Sequence, residues 1–171
     1  TGNGSAATIG HGLNNTPDLI ITKFRSASSS WSVYHSSLGA TGRLVLDLTN
    51  AFYTNTGPWN NTEPTSTVFS KGAGESDNGV TQIAYCFAEV AGFSKFGSHT
   101  GNGGTKSINV GFEPAFVISK ITSSVDNWRI YDNKRSPFGQ LQDEVLLANG
   151  SQAEFVNDPQ YIEFTSTGFD L

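Results

Sequence analysis

Apolar residues along this chain come in short runs separated by turn-forming residues. Some runs are nearly continuous, such as Leu19-Ile20-Ile21-Thr22-Lys23-Phe24 and Phe116-Val117-Ile118-Ser119-Lys120-Ile121. Others alternate, such as Trp31-Ser32-Val33-Tyr34 and Trp128-Arg129-Ile130-Tyr131. Alternation puts successive side chains on opposite faces of a strand, and Gly, Pro, Asn, Asp and Ser bound each run. Nothing has the spacing or the Ala/Glu/Lys/Leu content of a long helix. Turn signals recur at roughly ten-residue intervals, as in sandwiches and barrels. The pattern predicts an all-β fold, an antiparallel β-sandwich of jelly-roll or concanavalin-like kind. Strands are expected at 6–9, 19–24, 31–34, 43–48, 67–70, 81–90, 106–110, 116–121, 128–131, 144–147 and 161–165. Pro17, Pro58, Pro64, Pro114, Pro137 and Pro159 all fall between these runs, where a missing N–H costs no ladder bond.

The pattern occurs twice. Thr1-Gly2-Asn3-Gly4 recurs as Thr100-Gly101-Asn102-Gly103, and Ile9 and Gly12 match Ile108 and Gly111. After a two-residue gap, Pro17, Ile21, Lys23, Trp31 and Tyr34 match Pro114, Ile118, Lys120, Trp128 and Tyr131. Beyond this the likeness weakens, with Leu44-Val45-Leu46-Asp47-Leu48 set against Glu144-Val145-Leu146-Leu147. The reading is one sandwich domain over 1–171 made of two related halves, 1–99 and 100–171. Either half alone is short of core, so the two are expected to pack together. The second half has no counterpart of the 81–90 strand. With the abrupt start at Thr1 and the absence of Met, this predicts a piece of a longer polypeptide, or a strand supplied by another chain.

Composition narrows the partners. The net charge is −5, the pI is about 5.0, and the ten Lys and Arg are scattered, which argues against nucleic acid. No apolar stretch is long enough to cross a bilayer. The single cysteine, Cys86, excludes an intrachain disulfide and is expected to be buried and inert.

Candidate chemistry is sparse. His11, His35 and His99 lie far apart and outside any zinc-binding spacing, and read as turn or surface imidazoles. No GxSxG elbow occurs, and no repeated carboxylate pair suits glycosidic cleavage. Glu75-Ser76-Asp77-Asn78-Gly79 lacks calcium-loop spacing and reads as a solvated hairpin loop. The Gly-Asn-Gly motifs read as turns with positive φ. Sequons at Asn3, Asn14, Asn60 and Asn149 match what an Asn- and Thr-rich chain yields by composition. No catalytic residue, metal or cofactor is expected.

Aromatic residues give the one opening, because sugar CH faces pack on aromatic faces. Trp31 and Trp128, one in each half, read as core. Trp59 stands in the unrepeated loop Gly57-Pro58-Trp59-Asn60-Asn61-Thr62, so Trp59, Asn60 and Asn61 are the candidate ligand-binding residues.

Three groups of motifs resemble a duplicated domain of tail-fibre and appendage proteins of marine and cyanobacterial phages. One is the run Ile83 to Val90 with Gly92-Phe93-Ser94-Lys95-Phe96-Gly97-Ser98 and Thr100-Gly101-Asn102-Gly103. The others are Thr8 to Leu13 with Trp59 to Ser70, and Trp128 to Arg135. The resemblance implies a non-enzymatic protein on the virion surface: a tail fibre, spike or receptor-binding module. Its implied partners are other virion proteins, further copies of itself (a trimer in a fibre) and a host surface glycan. A capsid decoration protein, a carbohydrate-binding module of a secreted bacterial protein and a polysaccharide depolymerase are the alternatives.

Overall fold

The structure, a computed structural model, describes residues 1–136 and 140–171, so Pro137 lies outside the described residues. The chain is all-β, as the alternation predicts. The first half contains β1 (Ala7–Gly10), β2 (Leu19–Phe24), β3 (Ser32–His35), β4 (Gly42–Val45), β5 (Tyr53–Thr54), β6 (Val68–Lys71) and β7 (Gln82–Phe87). The second contains β8 (Ser107–Asn109), β9 (Phe116–Lys120), β10 (Trp128–Asp132), β11 (Leu141–Gln142), β12 (Leu146–Leu147), β13 (Ile162–Thr165) and β14 (Gly168–Asp170). One 3-10 turn, Ala73–Glu75, follows β6.

Four antiparallel sheets result, in the strand orders β1-β6, β5-β4-β3-β2-β7, β12-β10-β9 and β11-β13-β14-β8. The expected run 81–90 is shorter as β7, because Val90 turns back to bridge Ser94. β5, β11 and β14 were not expected. Two of them are only two residues long, too short to show an alternation.

The two halves share their pairing. In the β2–β3 hairpin Ile21 faces Val33, and in the β9–β10 hairpin Ile118 faces Ile130, one position after another in the same register. Next, Val33 faces Leu44 and Ile130 faces Leu146. Asp47 accepts a hydrogen bond from the Trp31 amide (2.8 Å), and Asn149 accepts one from the Trp128 amide (2.7 Å). Leu44, Val45 and Asp47 therefore correspond to Leu146, Leu147 and Asn149, two residues later than the sequence comparison placed them. That comparison slid because runs of Leu and Val match in several registers.

Each half carries its own apolar cluster. Ile20, Tyr34, Ala40, Trp59 and Phe69 form the first; Tyr131, Val145, Ile162 and Phe164 form the second. A third cluster joins the halves, with Val33 and Leu44 of the first gathered on Trp128 of the second. Leu19, Ile21, Leu38, Leu46 and Phe52 pack around it. The five-stranded sheet is thus covered on both faces, with Ile20 and Tyr34 on one and Ile21, Val33 and Leu44 on the other. Trp128 also donates its indole N–H to the Val45 carbonyl (2.8 Å), and Phe52 and Asp126 make backbone bonds to Thr122 and Thr49 across the same junction.

Its repeat partner behaves differently. Trp31 was expected in the core, but it is half-buried and stacks on Tyr85 (centroids 6.4 Å apart, 22° between planes). The reason lies in β7, which brings Tyr85 alongside Ile21 next to Trp31. Cys86 is likewise half-buried, packed on the first cluster, and burial pushes its thiol pKa up.

Candidate functional site

Trp59 does not line a contact surface. It is 2% exposed, meets Tyr34 edge-on with centroids 5.7 Å apart, and is pinned by the Gly57–Pro58 approach. Gly57 accepts the Gly72 amide so closely that a Cβ on Gly72 would collide with the Gly57 carbonyl at 2.1 Å. This corrects the expectation of a loop tryptophan free to stack on a sugar: the ring turns inward and packs with Ile20, Tyr34, Ala40 and Phe69. Asn60 and Asn61 do stay exposed. They hold φ of 52° and 49°, a left-handed pair that Asn tolerates better than most residues. The structure therefore separates the three candidates into one buried anchor and two amides displayed above it.

Beneath Trp59 lies a group of charges that sequence reasoning missed. The Lys71 side chain is 1% exposed. Its ammonium sits 5.1 Å from the centre of the Trp59 ring, donates to Thr22 Oγ1 (3.2 Å) and lies 3.8 Å from Glu75. Glu75 accepts from Arg43 (2.7 Å), which also donates to Ser32 (2.8 Å) and to the Tyr53 hydroxyl. The segment around Glu75 was expected to be a solvated loop. Asp77, Asn78 and Gly79 are exposed as expected, but Glu75, at the end of the 3-10 turn, is partly buried and serves as the carboxylate for the buried Lys71 and the partly buried Arg43. One signal was available: Phe69 and Lys71 are two apart in a strand and so share a face.

Lys71 also lines a cleft of about 290 Å³, with Thr22, Phe69, Ser76, Gln82 and the N-terminal residues Thr1 to Asn3. Gly2 straps that end through bonds with Val80 and Gly79, and a Cβ on Gly2 would collide with the Asp77 carbonyl at 2.2 Å. Burial pushes the Lys71 pKa down to about 8, Arg43 adds to the depression, and Glu75 opposes it. Between pH 8 and 10.5 the unfolded chain therefore binds the proton more readily than the folded one, and this group's contribution to stability rises with pH. Tyr34 and Tyr131 act the other way above about pH 10, because burial raises both their pKa values.

Comparison with Lys71→Met cancels the tyrosines. The stability of the wild type relative to the variant is expected to rise by about 3 kcal/mol between pH 7 and pH 10.5. Urea unfolding of both proteins at the two pH values checks this, and a stability difference that does not change with pH contradicts it.

The remaining polar groups serve packing too. Arg129 is buried between Asp126 (3.0 Å) and Asp158 (3.4 Å), and the Tyr131 hydroxyl donates to the Gln160 carbonyl (2.6 Å). His11 and His35 each accept a backbone amide two residues on, as turn residues do, and burial lowers the His35 pKa. Among the described residues no group of three or more His, Cys, Asp or Glu could hold a metal ion. No helix among them is long and apolar enough to cross a membrane.

A family profile described as a domain of unknown function, DUF7483, matches residues 1–171, the whole sequence. The chain belongs to that family. Neither a curated protein nor a solved structure matches it. In this member of the family, the charged cluster is confined to the first half. Arg43 faces Tyr53 there, whereas Val145, its counterpart by register, bridges Phe155 and lies in an apolar cluster.

Proposed function

We propose that this chain is a non-catalytic structural module of a phage particle, part of a tail fibre, spike or receptor-binding appendage. The observation that carries the reading is the Trp128 junction. A tryptophan from one half seats on the sheet face of the other and closes a shared core. Modules that build by sheet-on-sheet packing have this construction. The buried Lys71–Glu75–Arg43 group and the Arg129 group fit the same reading, since their polar atoms are engaged by neighbours within the fold. The motif resemblance to virion appendage domains supplies the particle.

The test is fractionation of a lysate from cells producing the phage. The chain should band with intact particles on a density gradient and be identified there by its peptides. Recovery only from the soluble fraction contradicts the reading.

Asn60 and Asn61 favour a second role for the same module, contact with a host surface glycan. Two adjacent exposed amides on a rigid buried anchor offer both donors and acceptors to sugar hydroxyls.

A further inference from the structure

Four Asn-Gly pairs occur in the chain, at Asn3, Asn78, Asn102 and Asn149. At such a pair the glycine nitrogen can attack the asparagine side-chain carbonyl, because no Cβ on the glycine hinders the approach. The nitrogen must first lose its proton, and an N–H held on a carbonyl gives it up less readily. Three of the four glycine amides are held in this way. Gly4 donates to the Ser76 carbonyl (2.7 Å), Gly79 to that of Gly2 (3.0 Å) and Gly150 to that of Leu147 (3.2 Å). Asn149 is fixed further, with Oδ1 on the Trp128 amide and Nδ2 donating to Asn127 (2.8 Å). The Gly103 amide meets no acceptor among the described residues, and a Cβ there would touch nothing.

The repeat supplies a matched comparison. Thr1-Gly2-Asn3-Gly4 and Thr100-Gly101-Asn102-Gly103 build the same turn. Gly4 and Gly103 both hold φ of 76°, and Asn3 and Asn102 each accept the amide two residues on, at 3.0 and 3.1 Å. The first turn is clamped by the loop after β6, where Ser76 takes the Gly4 amide and Gly2 exchanges bonds with Gly79 and Val80. The second turn stands exposed with no such clamp.

We propose that Asn102 is a site of spontaneous deamidation, with solvent water as the co-reactant. The Gly103 nitrogen releases its proton to solvent, and its electron pair forms a bond to Asn102 Cγ. Negative charge builds on Oδ1, where the Gly104 amide already donates. The Cγ–Nδ2 bond then breaks, ammonia leaves with a proton from solvent, and a cyclic imide remains. Water opens the imide at either carbonyl. Opening at Cγ leaves an aspartate; opening at the main-chain carbonyl leaves an isoaspartate, with the chain rerouted through the side chain. Either product adds a negative charge to a chain of net charge −5, in the segment between β7 and β8 that joins the halves.

The test incubates the full chain in mildly alkaline buffer and maps it by trypsin and mass spectrometry. Cleavage after Lys23, Lys71, Lys95, Lys106 and Arg135 puts each pair in a peptide of its own: 1–23, 72–95, 96–106 and 136–171. The expected result is an amide-to-acid mass gain that appears first in 96–106 and is placed at Asn102 by fragmentation. Its rate should exceed that at Asn3 by about fivefold or more, the factor that one hydrogen bond of ordinary net strength commands. In urea Asn3 and Asn102 should react alike, because both stand in Gly-Asn-Gly and neither glycine amide is then held. The acid should elute as two isomers, aspartate and isoaspartate. Equal rates at Asn3 and Asn102 in the folded chain overturn the proposal. So does a difference that persists in urea, or aspartate formed alone, which would mean direct hydrolysis without the imide.

Discussion

Trp128→Ala is expected to lower the stability of the whole chain by about 4 kcal/mol, the cost of emptying a tryptophan-sized site in a packed core. The effect should exceed that of Trp31→Ala by about 3 kcal/mol, although the two residues hold the same place in the repeat. Trp128 is 6% exposed, anchors Val33 and Leu44, and gives its N–H to a carbonyl of the other half. Trp31 is half-buried against a single exposed tyrosine. Removing the first ring opens the seam between the halves; removing the second strips one surface contact. Denaturant unfolding of the three proteins checks the ranking, and equal losses would mean that the halves do not depend on Trp128.

The second large effect concerns Trp59. Trp59→Ala should cost about 3–5 kcal/mol, because the ring fills the first cluster beside Tyr34 and covers the Lys71 ammonium. Asn60→Ala and Asn61→Ala, on the exposed side of the same loop, should each change stability by less than about 1 kcal/mol. The comparison separates packing from recognition. On a glycan array, the asparagine variants are expected to lose binding while remaining folded. Glycan binding that survives both asparagine substitutions would remove this loop from the recognition role.

How far these features were legible in the sequence depended on how local they were. Alternation and turn residues located most strands, since period-two burial is written in adjacent residues. The repeat was legible through Tyr34 and Tyr131, where Trp, Tyr and Lys give distinctive matches. It slipped at Leu44–Leu48, where only the hydrogen bonds from the Trp31 and Trp128 amides to Asp47 and Asn149 fix the register. Trp59 was misplaced because a loop signal, Gly-Pro-Trp-Asn-Asn, says nothing about which way the ring turns. That was decided by the core volume left open between Tyr34 and Phe69. Lys71 was invisible for a related reason. Its partners Thr22, Arg43, Trp59 and Glu75 are brought together by four separate elements, and no spacing along the chain records that meeting.

The different burial of Trp31 and Trp128 has the same origin. An identical residue at an identical register meets Tyr85 in one half, because β7 is present there, and the neighbouring half's sheet in the other. The strand and its pairing are the same in both halves; the surroundings decide what the side chain does.

The seating of Trp128 on the first half's sheet underlies the structural reading. A double-mutant cycle between Trp128→Phe and Leu44→Ala, measured by equilibrium unfolding of the monomer, tests it most directly. The account predicts a coupling of about 1 kcal/mol between these positions, as for side chains in contact. Strictly additive effects of the two substitutions would contradict it.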